Sequence, residues 1–264
     1  MRNGKITSSY QRNNTRSSFR RPKRIFEKKN LWIIITVAII AVVVFYVVLK
    51  QRKEKIEPST VEIVRNQDFF ERSGEFSKTL LSATIFSGEG NVEMAGEELK
   101  KLSSQWLLIV SDFQDKKPVQ CRKEKDWSGS FGRIEQKLKL AESLSMSGRS
   151  SESYLVLQEV GNSVKSLQEN CEVRVTEIKL LEFYFQMKKT LATEDRSEAI
   201  SSLPELKMLF TELRETKMDN LKYQNNLFRV GAGISRIENS TPKVFNEFKQ
   251  DLKPAFLQLI KELQ

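Results

Sequence analysis

Residues 31–49 read LWIIITVAIIAVVVFYVVL, and this stretch decides how everything on either side of it is understood. It contains no charged residue, no Pro and no Gly, and Thr36 is its one small polar interruption. Wound as a helix at about 1.5 Å per residue it measures roughly 28 Å, close to the ~30 Å hydrocarbon core of a bilayer. The segment is therefore expected to be a transmembrane helix. A cleaved signal peptide fits less well, because the apolar run exceeds the usual roughly 7–15 residues, thirty residues precede it, and no small-residue cleavage site stands before LKQRKEK. An uncleaved signal-anchor is the expectation.

The flanks set the orientation. Residues 1–30 carry ten basic side chains against Glu27 alone, among them Arg12, Arg16, Arg20, Arg21, Lys23, Arg24, Lys28 and Lys29. Residues 50–57 carry Lys50, Arg52, Lys53 and Lys55 against Glu54 and Glu57. The basic excess before the helix predicts a cytoplasmic N-terminus and a C-terminal domain on the far side of the membrane, whether periplasmic, extracellular or lumenal. Beyond residue 57 the chain has 30 basic and 31 acidic residues, so the net charge of +10 belongs to the membrane flanks and the large domain is neutral. The lipid bilayer is thus the first expected partner. Residues 1–30 lack apolar periodicity and are expected to be a disordered arm, and nucleic acid is the less favoured partner for it.

The 264 residues include no His. That count removes Ser-His-Asp and Cys-His catalysis, His-ligated zinc and haem held through His. No catalytic signature remains, and no cofactor or metal site is expected. Glu93, Glu97 and Glu98 read as a solvated helix face, since no loop spaces carboxylates like a calcium site. Gly231-Ala232-Gly233 lacks the third glycine and preceding strand of a phosphate loop and reads as a helix-packing site. Asn239-Ser240-Thr241 has the pattern of a glycosylation acceptor, compromised by the following Pro242.

A tether at 50–66, broken by Pro58-Ser59-Thr60, leads into a region where apolar residues recur at helical spacing almost without interruption. Helices are predicted at about 67–86, 91–114, 127–147, 151–171, 172–192, 195–217, 220–238 and 241–263. Asn91, Ser150 or Ser151, and Asp195 are placed to cap three of them; Pro242 falls in a first turn, and Pro254 should kink the last. Laying 91–113 over 195–217 without a gap puts Ala95 on Ala199, Leu99 on Leu203, Leu102 on Leu206, Trp106 on Phe210 and Ile109 on Leu213. This internal repeat suggests an all-α ectodomain of two tandem antiparallel four-helix bundles, 67–171 and 172–264. Nothing between Ser151 and Ala192 except Gly161 opposes helix, so the bundles either share one helix of roughly 63 Å or break near Cys171 and lie side by side. In helix count the ectodomain resembles the c′-type and b-type cytochrome bundles, but the His or C-x-x-C-H segment that holds their haem is missing.

Cys121 and Cys171 are the chain's two cysteines. The intervening helices run out and back over about equal lengths, which brings both sulfurs to one end of the first bundle, where an oxidising compartment permits a disulfide. Trp106, Phe113, Trp127, Phe131, Phe183, Phe185, Phe210, Phe245, Phe248 and Phe256 sit at helical spacing and are expected in the core. Taken together the sequence reads as a non-enzymatic, single-pass, membrane-anchored helical interaction module working with another membrane or envelope protein. Two alternatives are a ligand-binding sensor ectodomain and a tether that holds nucleic acid or ribosomes through the basic arm.

Overall fold

Every side chain from Thr79 to Ile85 is buried, so one helix is covered on all its faces and the others are arranged around it. The computed structural model describes residues 60–173, 175–216 and 220–262. The segment 31–49, the basic arm 1–30 and the first part of the tether lie outside the described residues. Among the described residues no helix is long and apolar enough to cross a membrane. Residues 58–264 form one unit and are considered by themselves.

The described residues form eight α-helices and no strand: α1 Thr60–Gly88, α2 Val92–Phe113, α3 Trp127–Met146, α4 Ser150–Asn170, α5 Thr176–Ala192, α6 Arg196–Glu215, α7 Leu221–Asn239 and α8 Phe245–Lys261. A short 3₁₀ turn, Val119–Lys123, lies between α2 and α3. α1 packs on α2, α2 on α3, α3 on α4, and α4 returns to α1, which closes a ring of four. α5 to α8 pack in sequence, and Phe183 and Tyr184 of α5 stack on Phe256 of α8 at 5.1 and 5.9 Å between ring centres. α1 also packs on α5, and one continuous apolar core runs through all eight helices.

Complete burial suits α1 because its sequence is small and self-satisfying there. The hydroxyls of Ser77, Thr79, Ser82 and Thr84 donate to the carbonyls of Ser73, Glu75, Lys78 and Leu80, four residues back. Each of these four hydroxyls is thereby paired on its own helix without asking anything of a neighbour. One cross-link between helices is added where Gln168 of α4 donates to Ser77 Oγ at 2.8 Å. The expected tether is shorter than its sequence suggests, because α1 begins at Thr60 and residues 60–66 are helical.

Helix ends follow local chemistry. Asn91 accepts from Met94 N at 3.2 Å and Asp195 from Ser197 N at 2.8 Å, as their positions predict. Asn220, which sequence analysis did not single out, accepts from the backbone N–H groups of Lys222 and Tyr223. The expected cap at Ser150 or Ser151 is corrected. Gly148, at φ +75°, closes α3 so tightly that Arg149 both donates back to Leu144 O and serves as the cap position of α4, while Ser150 is already helical. Pro242 lies in the turn before α8, which starts at Phe245, and α8 continues through Pro254.

Helices α4 and α5 are separate, which decides between the two arrangements left open by the sequence. The break has the form of a Schellman turn: Val173 N donates to Gln168 O at 2.8 Å, and Glu172 takes the left-handed φ of 58°. No glycine marks this turn. Cys171, beside it, forms a disulfide with Cys121 across 50 residues of sequence, and both cysteines are fully buried.

Two outcomes follow. Replacing the pair (Cys121→Ser with Cys171→Ser) is expected to lower the unfolding free energy by roughly 4 kcal/mol on the chain-entropy relation for such a loop; denaturant titration under non-reducing conditions measures it, and a change below about 1 kcal/mol would contradict it. Glu172→Gly is expected to raise stability by about 1 kcal/mol, because relief of the left-handed backbone outweighs loss of the exposed Lys123–Glu172 pair. Glu172→Ala, which keeps the strain, should give no gain.

Candidate functional site

Because α5 follows the Schellman turn and packs on α1, its outer face is left between α4 on one side and α6 on the other. The result is an open groove of about 1210 Å³. Ile178, Lys179, Glu182, Phe185, Gln186 and Lys189 of α5 form its floor, spaced so that they share one helix face. Gln158, Asn162, Lys165 and Glu169 of α4 form one wall, and Glu205, Met208, Leu209 and Glu212 of α6 the other. Val173 and Val175 close the end next to the disulfide.

The floor is partly apolar and the rims are charged. Phe185 is half-buried, with an edge-on contact to Tyr154 at 6.0 Å, and Met208 is largely exposed. Gly161 on α4 permits the close approach of α5 here, since a Cβ would stand 2.8 Å from Leu181 Cδ2. Lys165 ties the α4 wall to the floor by pairing with Glu182, pairs at 3.9 Å with Glu169 of its own helix, and has its pKa raised by the Glu182 carboxylate. Lys179 pairs with Glu212 at 3.7 Å. Lys123 and Glu172, paired at 2.9 Å, extend the rim, so the disulfide that joins their neighbours holds one end of the groove in place.

A second polar cluster lies at the far end of α1. Glu89 accepts from Tyr184 OH at 3.0 Å and pairs with Lys253 of α8, while Lys188 donates to Gly88 O and sits 4.8 Å from the Tyr154 ring centre. Burial pushes the Tyr154 hydroxyl up to about 12, raises Tyr184 further, and lowers Lys188. These contacts tie α1, α4, α5 and α8 together and read as a fastening. Among the described residues no three His, Cys, Asp or Glu side chains converge as metal ligands.

At the groove's closed end, Glu177 in the first turn of α5 is buried enough to raise its pKa, with Glu75 adding to the effect and Lys78 opposing it. Beside it the Tyr223 hydroxyl is buried without a hydrogen-bond partner.

Of the residues singled out from sequence, Cys121 and Cys171 are brought together, whereas the arm from Arg12 to Lys29 lies outside the described residues. Trp106, Phe113, Trp127, Phe131, Phe183, Phe245 and Phe256 are buried, and Phe185, Phe210 and Phe248 pack against the core from its edge. Phe185 alone of these lines the groove. Gly231 and Gly233 serve helix packing, facing Phe210 of α6 and Leu252 of α8. Asn239 is exposed and donates to Ser235 O.

These features define the class: an all-α domain, with eight helices among the described residues, a disulfide between Cys121 and Cys171 and a charged-rim groove between its halves. The chain matches no protein-family model, no curated protein and no solved structure.

The raised pKa of Glu177 carries a sign. The folded state holds this proton more tightly than the unfolded chain, so the group's contribution to stability falls as pH rises through the carboxylate range. Glu177→Gln is expected to be more stable than the parent near pH 7 and indistinguishable from it near pH 4. Denaturant unfolding of both proteins at the two pH values measures this, and equal stability at both would refute it.

Proposed function

We infer that the chain is a non-enzymatic, single-pass membrane protein whose helical domain binds a helix of another membrane or envelope protein in the α4–α5–α6 groove. The observation that carries this reading is the groove itself: open along a helix face, apolar at Phe185, Val175 and Met208, and edged by charged pairs. An amphipathic helix laid in such a channel would bury an apolar stripe and meet charges on both sides. The uncharged run at 31–49 supplies the anchor, and the basic excess ahead of it supports a cytoplasmic arm with the domain on the opposite side. A buried disulfide is in keeping with such a compartment.

The sensor alternative calls for an enclosed apolar pocket with a few convergent polar groups. The groove is open and its rims are ionic, which favours a macromolecular partner. The reading of α1–α4 and α5–α8 as a duplicated unit draws support from Asn91 and Asp195 capping α2 and α6, and from Ala95, Leu99, Leu102 and Ile109 being buried as are Ala199, Leu203, Leu206 and Leu213.

Affinity purification of the full chain from solubilised membranes is expected to recover a stoichiometric partner. Met208→Lys should reduce that recovery at least tenfold with the thermal midpoint unchanged, while Leu140→Lys, on an exposed position of α3 outside the groove, should not. A monodisperse monomer with nothing co-purifying would overturn the reading.

A further inference from the structure

We propose that the outer face of α7 is a docking surface for an anionic lipid bilayer, the same bilayer that holds the anchor; this rests on the membrane reading above. Two large apolar side chains protrude there, Leu221 at 76% exposure and Phe228 at 78%, the two most exposed large hydrophobic residues among the described ones, with Met146 next at 74% on another helix. They stand seven residues apart, which is two turns, and each is followed by a cation, Lys222 and Arg229. At 100° per residue Leu221, Lys222, Asn225, Phe228 and Arg229 fall within about 120° of arc, opposite the buried Tyr223, Leu227 and Val230. Neither cation has a carboxylate partner among the described residues, and both line a shallow pocket of about 530 Å³ with Asn225, Asn226, Gln258 and Glu262.

Apolar side chains that insert, flanked by cations that stay at headgroup level, are what an interfacial helix presents to a negatively charged membrane. A protein partner would instead be met by a patch of balanced charge, as in the groove, where four lysines face five glutamates; here the two cations meet Glu262 alone. The reach of the chain allows the contact. From Leu49 to Thr60 the connection extends at most nearly 40 Å at about 3.6 Å per residue. Tyr223 lies beside Glu177, which faces Glu75 and Lys78, so α7 begins only about 25 Å along α1 from Thr60. The domain can therefore tip this flank onto the surface without exhausting its tether.

The full chain in bilayer discs, with and without anionic lipid, tests this using a photoreactive residue, Phe228→benzoylphenylalanine. Met146, 74% exposed at the C-terminal end of α3, supplies the control position for the same replacement. Irradiation is expected to give a lipid adduct at position 228 and none at 146. The yield should fall several-fold in zwitterionic discs, and likewise when Lys222→Gln and Arg229→Gln are added. No lipid adduct at 228, an adduct to protein, or a yield indifferent to lipid charge, in chains retained by the discs, would overturn the docking surface and leave the anchor standing. Chains that fail to enter the discs would overturn the anchor, and the docking surface with it.

Discussion

Burial of α1 on every face over Thr79–Ile85 is the constraint from which the architecture follows. A helix surrounded on all sides cannot present bulky groups everywhere, because the neighbours must approach within packing distance. It cannot present unpaired polar groups either, because those cost free energy in a dry interior. The run Thr79-Leu80-Leu81-Ser82-Ala83-Thr84-Ile85 meets both demands by interspersing its three large apolar residues with Ala83 and with Thr79, Ser82 and Thr84, whose hydroxyls bond to their own helix. α2, α4 and α5 can then all lean on the same element, and the two sets of four helices become one body with a single core.

The position of the groove is a secondary effect of that arrangement. α5 is needed against α1, so it cannot be covered on its other side by α4, which belongs to the first ring. The chain manages the change of direction with a non-glycine residue in the left-handed region, between a disulfide on one side and an ion pair to Lys123. Rigidity at Cys171 and openness three turns away thus come from the same turn. A preformed channel of this kind demands little ordering from the domain when a partner helix arrives.

Much of the helix inventory was legible because apolar residues at helical spacing, with Asn91 and Asp195 ahead of them, leave little choice. Helix lengths made it legible that Cys121 and Cys171 meet at one end of the bundle, while the bond between them was permitted by the sequence and is shown by the structure. The break after α4 was not, since its signal would have been a glycine and the chain has Glu172. Nor was the groove, because sequence order makes α4, α5 and α6 neighbours without telling that the outer face of α5 is left uncovered between them. Met208 on the outside of α6 was a hint of it, an apolar residue off the buried stripe of Leu203, Leu206 and Leu213. Phe228 and Leu221 were hidden among the apolar residues of an amphipathic helix, and only the burial of Tyr223, Leu227 and Val230 shows that they point the other way.

Sharing α1 between the two sets has a bearing on how the molecule can be dissected. A fragment starting at residue 172 would carry Leu180, Tyr184 and Met187, all fully buried in the intact chain, with nothing left to shield the side that α1 occupied. A fragment ending at 171 keeps its ring yet bares Ile85 and deprives Glu89 and the Gly88 carbonyl of Tyr184 and Lys188. The natural boundary for recombinant work accordingly lies ahead of Thr60, and the eight helices are best handled as an indivisible piece.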